Sequence, residues 1–305
     1  MKSNIVGVGN VAYDYLFIVE KYPQEDSSAR ISDAIEQGGG CVATALVAAS
    51  RLGIPTSFIC NIGDDEAGKR IYQGLLEENI NLQHMEIIPG GRSQTSYVMI
   101  NPANQSRTKF PYKDKLPNIV WTQDKIDQIK NASVLHLDGT QYDNAIAAAK
   151  IAKEYNVPVS LDGCSRKDDN SLNVELAKLT DILIMNNTFP FYTSNKETLE
   201  EAMEFFAHIG PRIVITTLGD QGCVAWIDGA CKYFPAFKVD AIDTTGAGDA
   251  FHGGFLAAQL KGYDLETSIY YASAVSALKC LQIGGRTGLP THDTVIQFLS
   301  EKGVI

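Results

Sequence analysis

Short apolar runs alternate along this chain with stretches of helical period, and that alternation limits the fold more than any other feature. Ile5–Val8, Ser57–Asn61, Val134–Leu137, Val157–Leu161, Ile182–Met185 and Ile213–Thr217 read as buried strands. Between them, Cys41–Leu52, Glu66–Glu78, Asn144–Tyr155, Ser171–Leu179 and Thr198–His208 read as helices. Strands that alternate with helices form βαβ units, hence a mostly parallel sheet covered on both faces. Tyr13–Glu20 and Ala29–Ile35, like Thr95–Asn101 and Arg107–Tyr112, are strand-like pairs with no helix between their members. They are expected to form a small separate sheet, a water-excluding lid over the ends of the main strands. The last third reads as helical over Gly246–Leu260, Leu265–Leu281 and His292–Leu299. The expectation is one α/β domain over residues 1–305, with lid strands drawn from about residues 11–36 and 94–113.

With 305 residues the chain can bury a large core. Its 36 acidic and 26 basic residues leave a formal charge of −10, which argues against broad contact with a nucleic-acid backbone. A nucleotide substrate is compatible with that charge, since backbone amides and a metal ion can hold an anion. No apolar run reaches membrane-spanning length, and the opening MKSNIVGVGN turns polar before a secretory core could form. A cytoplasmic protein is expected, with neither membrane nor nucleic acid as partner and with its six scattered cysteines reduced.

Two glycine patterns imitate nucleotide sites. Gly7-Val8-Gly9-Asn10-Val11-Ala12 opens like a dinucleotide fingerprint, but the helix that fingerprint needs is replaced by the strand-like run Tyr13–Val19. Gly63–Arg70 falls short of a P-loop: Arg70 stands where a metal-binding hydroxyl belongs, and Asp64, Asp65 and Glu66 would repel a triphosphate. Those acids suit the start of a helix instead. The five histidines show no metal-ligand spacing, and no serine sits in a G-x-S-x-G elbow.

The segment with chemical content is Asp243-Thr244-Thr245-Gly246-Ala247-Gly248-Asp249, together with the apolar helix that follows. Gly246, Ala247 and Gly248 leave the backbone N–H groups of a helix start bare, where about half a positive charge of the helix dipole also gathers. That is an anion hole, and Asp249 lies in the first turn beside it. A carboxylate there repels phosphate, and a general base that takes the proton of an attacking hydroxyl gives it a purpose. On these residues alone, a plain helix-capping role for Asp249 stays equally open.

The stretch Asp243–Leu256 resembles the C-terminal signature of the ribokinase-like carbohydrate kinases of the phosphofructokinase B type. Gly39–Gly53 resembles their N-terminal glycine signature, and similarity continues through Asn61–Gly68, Val214–Gly222 and Cys280–Pro290. The resemblance implies a ribokinase-like three-layer sandwich with a β lid, ATP and Mg²⁺, and in-line transfer to a sugar hydroxyl. By position it implies Asp249 as the base and Gly246, Ala247 and Gly248 as the anion hole. It implies sugar contacts from Asp14, Thr44, Asp138 and the diglycine turn Gly39-Gly40, with Arg107 a candidate for an anionic group on the substrate. Asn186, Thr217, Gly219, Gly222 and Gly248 match the nucleotide side. The resemblance also allows a monovalent cation such as K⁺ near Asp243, Thr245 and the Cys280–Leu289 loop. A lid with an apolar outer face is expected to be covered by a second copy, giving a homodimer.

Three features depart from the family pattern. Thr44 replaces the Asn usual in the glycine signature. Phe189 replaces the acid of a mid-chain N-x-x-E element, Asn186–Phe189, that helps to place Mg²⁺, so no metal ligand is assigned there. Gly38–Ala45, Pro235–Asp240, Ala277–Cys280 and Gly284–Arg286 look most like the sulfofructose kinase branch, yet Ser28, Pro111 and Gln141 stand where that branch binds a sulfonate. A neutral monosaccharide, a ketose or pentose, is therefore expected, while Arg30, Arg107 and Lys109 keep an anionic acceptor open. A nucleoside kinase and a non-catalytic sugar- or nucleotide-binding regulator are the competing readings.

Overall fold

The computed structural model describes residues 4–103, 106–112, 116–164 and 169–305. The chain begins with β1 (Ile5–Val8), β2 (Ala12–Val19), β3 (Ile31–Gly39), α1 (Cys41–Arg51), β4 (Thr56–Gly63), α2 (Glu66–Glu77) and β5 (Met85–Ile88). It continues through β6 (Thr95–Asn101), β7 (Ser106–Tyr112), α3 (Gln123–Lys130), β8 (Val134–Leu137), α4 (Tyr142–Glu154), β9 (Val159–Gly163), α5 (Asn170–Lys178) and β10 (Ile182–Met185). Then come α6 (Phe189–Ser194), α7 (Leu199–Ile209), β11 (Ile213–Thr217), β12 (Cys223–Ile227), β13 (Ala230–Phe234), α8 (Ala247–Leu260), α9 (Leu265–Lys279) and α10 (His292–Glu301).

Nine strands form one sheet in the order β13-β12-β11-β10-β9-β8-β1-β4-β5. It is parallel from β11 to β5, and β12 and β13 extend one edge in antiparallel fashion. Successive residues of a strand face opposite sides, so both sides must be apolar. Val6, Leu135, Leu183 and Met185 pack under α3 to α7, whereas Ile5, Ile182 and Ile184 pack under α1, α2 and α8 to α10. The result is the expected three-layer α/β sandwich. Among the described residues, no helix is long and apolar enough to cross a membrane.

The strands expected to build the lid form a second sheet, β3-β2-β6-β7; residues 104, 105 and 113 of the anticipated span lie outside the described residues. Leu16, Val98 and Ile100 form its own small core with Ile18, Ile35 and Ile283, the last reaching in from the loop after α9. The strand expected at Ala29–Ile35 runs further, as β3, because pairing with Ala12 and Tyr13 carries it on through Gly38 and Gly39. Both imitation motifs resolve as read. The Gly7–Ala12 turn leads into strand β2, and the Asp65 side chain caps α2 by accepting the Gly68 N–H at 2.9 Å.

Helix α1 meets α8 closely because α8 presents glycine to its neighbours. A Cβ on Gly253 would lie 2.3 Å from the Ala45 carbonyl oxygen of α1. By contrast, a Cβ on Gly74, inside α2, would meet nothing within 4 Å. The same Gly→Ala change should therefore act in opposite directions. Gly253→Ala is expected to lower the melting temperature, overpacking costing about 1–3 kcal/mol, and Gly74→Ala to raise it through a helix-propensity gain of about 1 kcal/mol. Thermal unfolding of both variants checks this, and a Gly253→Ala chain at least as stable as wild type would contradict the close α1–α8 approach.

Candidate active site

Residues with chemical potential collect beyond the carboxyl ends of the parallel strands, where an open α/β sheet places its ligands. Asn10 follows β1, Asp138 follows β8, Asp162 lies near the end of β9, Asn186 follows β10 and Thr217 ends β11. The sheet order puts the nucleotide-matching residues at β10 and β11 and the sugar-matching residues at β8, β1 and the lid.

Gly246 starts α8 with φ at +74°, and a Cβ there would sit 2.7 Å from the Gly285 carbonyl oxygen. A residue with a side chain fits neither the backbone nor the space. A Cβ on Gly248 would meet nothing within 4 Å, so the first turn opens onto room for an anion. The N–H groups of Gly248 and Asp249 have no acceptor within the helix at this position and can face that anion. The turn before α8 is held by Asp243, whose carboxylate accepts the Thr245 N–H at 2.9 Å, the Thr245 hydroxyl at 2.7 Å and the Gly284 N–H at 2.8 Å. Behind it the fully buried Lys279 donates to the Asp243 carbonyl oxygen at 2.7 Å. That ammonium stands where the resemblance allows K⁺.

Asp249, in the first turn of α8, is pushed up to about 7, first by burial and then by the charge of Asp162; His252 and Lys109 pull it back only in part. A carboxylate that titrates near neutral pH can both take and return a proton. Its neighbour Asp162 stays low despite burial, because His252 lies against it, with Nε2 3.3 Å from Oδ1. Burial pushes His136, beside His252, down to about 3, so it is neutral.

On the acceptor side, Asp14 is buried on β2, and burial raises its pKa against the pull of Lys109 and Arg286. A Cβ on Gly39 would lie 2.2 Å from the Asp14 carboxylate, so this approach requires glycine. Gly40 follows with φ at +94° and turns the chain into α1. Asp138 accepts the Asn10 N–H at 2.9 Å on one oxygen, and the Thr140 N–H at 2.9 Å and hydroxyl at 2.7 Å on the other. It is thus a turn residue as well as a candidate sugar contact. Thr44 is only 1% exposed, and its hydroxyl accepts from Arg286 Nε at 3.3 Å, which places it behind Arg286 rather than on an open surface. Arg107 reaches from the lid to the Thr245 hydroxyl at 3.3 Å and so ties the lid to the anion-hole turn.

Besides Gly248, the residues that the resemblance matches to the nucleotide lie at the end of β11 and on the turns that follow β10 and β11. Thr217 donates its hydroxyl to the Met185 carbonyl at 3.2 Å, and Gly219 and Gly222, at φ +63° and +101°, fold the β11–β12 turn. Asn186 uses its side-chain oxygen locally, accepting from the Thr188 N–H and hydroxyl and from the Phe189 N–H, which starts α6. Phe189 is 2% exposed in the core. The Asn186 side-chain oxygen is therefore committed to the start of α6, which leaves its amide nitrogen to meet a phosphate.

Arg286, Asn10 and Lys109, like Asp162, His252 and Lys279, were not singled out as site residues in the sequence. Arg286 is buried, donates to the Gly39 carbonyl at 2.7 Å, and remains charged at neutral pH although burial pushes it down to about 10. Asn10 has a buried side-chain oxygen with no partner among the described residues. Lys109, weighed only for an anionic substrate, acts on both Asp14 and Asp249. Nothing in residue spacing marks Arg286, 247 positions beyond Gly39.

Comparison with known proteins identifies the family. The pfkB family carbohydrate kinase profile matches residues 2–292. An ATP-dependent ribose-1-phosphate kinase of Halopiger xanaduensis is 31% identical over 301 residues, covering 98% of both chains. A nucleoside kinase of Methanothermobacter thermautotrophicus is 27% identical, covering 98% of this chain and 97% of its own. In structure, the ribokinase of Arabidopsis thaliana, solved with ribose and ATP, superposes with a TM-score of 0.85 at 24% identity, over 98% of this chain and 99% of the other. With the fold, the glycine turns and the whole-length match in agreement, the chain belongs to the pfkB family of carbohydrate kinases.

Proposed function

We propose that this kinase transfers the γ-phosphoryl group of ATP to a hydroxyl of a monosaccharide, a pentose or ketose, with Asp249 as the general base. The observation that carries this is a carboxylate pushed up to about 7 in the first turn of a helix whose bare N-terminus opens onto empty space. The acceptor O–H proton passes to Asp249 as the new O–P bond forms and the bond to ADP breaks. Backbone N–H groups over Gly246–Gly248 hold the moving phosphoryl group, and the lid excludes water. Mg²⁺, when bound with ATP, neutralises phosphate charge; the phosphates and water hold it rather than the Asn186 side chain.

The relative named for ribose 1-phosphate and the neighbour solved with ribose both fit a pentose. Lys109, whose charge acts on Asp14 and on Asp249, favours an acceptor that itself carries a phosphate. A nucleoside fits less well. Tyr15 and Tyr97 stack on each other at 5.3 Å, and by strand alternation they face away from the side that carries Asp14 and Ser96. That outer face also exposes Tyr97 (42%) and its cross-strand partner Phe110 (55%), which a second copy of the chain would cover.

ADP release with Mg·ATP, measured against ribose, ribose 1-phosphate, ketoses and nucleosides, tests the reading. One pentose or ketose acceptor should be turned over, and Asp249→Asn should slow transfer about 10²- to 10⁴-fold while ATP still binds. ATP binding without turnover of any acceptor, or an unimpaired variant, would contradict it. Lys109→Met should raise KM for a phosphorylated acceptor and leave a neutral one unchanged.

We also propose that Lys279 serves in place of a monovalent cation. Exchanging K⁺ for Na⁺ is expected to leave the wild-type rate and melting temperature unchanged, whereas Lys279→Ala should become more stable in K⁺ than in Na⁺. A wild-type enzyme that requires K⁺ would overturn this.

A further inference from the structure

Two thiols at the base of the site take no part in the transfer. Cys41 opens α1 directly after the Gly39-Gly40 turn, and Cys164 follows β9. Their sulfur atoms lie 3.9 Å apart. Together with a carboxylate oxygen of Asp162, all three donor atoms fall within 4.8 Å of one another. The Asp162 carboxylate is hydrogen-bonded to the Cys164 thiol and has His252 on its other side.

The sulfur separation discriminates between two uses of such a pair. A disulfide requires about 2.05 Å between sulfurs. Two thiolates about 2.3 Å from one tetrahedral zinc ion are about 3.8 Å apart. The observed distance, that of a hydrogen bond from the Cys164 thiol to the Cys41 sulfur, excludes a disulfide and already gives the spacing that the second arrangement needs. Two sulfurs and one carboxylate oxygen suit a borderline-soft divalent ion and leave a fourth position for water. They do not suit Mg²⁺, which takes oxygen ligands in an octahedron. Cys41 also lies in the field of Asp249 and Asp138, so negative charge converges on the same space.

We infer that Cys41, Asp162 and Cys164 form a binding site for a thiophilic divalent cation of the zinc class, beside the sugar pocket. On binding, each thiol gives its proton to solvent and the ion gains two thiolate bonds and one carboxylate bond. Because each thiol must lose its proton to bind the ion, affinity rises with pH. The site stands on its own donors and does not depend on Asp249 being the base.

Cd²⁺ titration of the reduced full-length chain, followed by thiolate-to-metal absorption and by proton release, tests the site. The expected result is one Cd²⁺ per chain, about two protons released, and displacement by Zn²⁺. Cys41→Ser and Cys164→Ser should each abolish the absorption, and Asp162→Asn should weaken binding at least about tenfold. Cys60, Cys223, Cys231 and Cys280 remain in every variant, so absorption that persists in the two serine variants would overturn the assignment. So would a folded wild-type chain that takes up no Cd²⁺. Should a variant fail to fold, maleimide labelling of the wild type gives the same decision. Bound Zn²⁺ must slow modification of Cys41 and Cys164, and unchanged labelling of those two residues would refute the site.

Discussion

The proposed site depends on one electrostatic compromise, a carboxylate held at the positive end of a helix that we propose also receives phosphate. Left in water, Asp249 would be ionised and would repel its ligand. Burial and the neighbouring charge of Asp162 raise its proton affinity until both protonation states are accessible near neutral pH. Asp162 can remain charged because His252 supports it. The buried cations serve the same compromise. Lys279 fixes the turn before α8 through the Asp243 carbonyl, and Arg286 fixes the diglycine turn through the Gly39 carbonyl. Each places positive charge where a cluster of buried carboxylates would otherwise be intolerable.

Steric constraint delivers these groups to one place. Gly39 must be glycine because Asp14 lies where its Cβ would be, and Gly246 because of the Gly285 carbonyl. The sheet brings Asn10, Asp138, Asp162 and Asn186 to one edge because parallel strands all end there. The lid then adds Arg107 and Lys109 from β7, a strand whose other residues are mostly exposed. The proposed base and anion hole thus lie beside closely packed turns, and the proposed selector of acceptor charge on a mostly exposed strand.

Much of this was legible in the sequence, for physical reasons. Strands such as Ile182–Met185 are apolar on both faces, which only a doubly covered sheet requires, and long helices such as Ala247–Leu260 fall close to their expected bounds. The elements missed are those whose pattern is weak. α3 reads Gln-Asp-Lys-Ile-Asp-Gln-Ile-Lys and is mostly polar, α6 carries Pro190 in its first turn, and β12–β13 form a hairpin outside the strand–helix alternation. At the site, Asp249 and its glycines stand out because small residues and an acid at a helix start are chemically unusual. Arg286 and Lys279 do not, since an isolated basic residue is usually solvated and only the fold shows that each is buried against a carbonyl. Asn186 shows the opposite failing. Its position was legible, but not that its oxygen is committed to the start of α6.

The most direct test is a carboxyl-carbon NMR titration of the aspartate-labelled apoprotein, with the Asp249 signal assigned by its loss in Asp249→Asn. A base tuned by burial and by Asp162 should titrate with a midpoint of about 7, neutral below it and charged above. Transfer should then quicken as pH rises through that midpoint. A midpoint near the ordinary aspartate value of about 3.9 would contradict this, leaving Asp249 an ordinary helix-terminal carboxylate and requiring another base for the reaction.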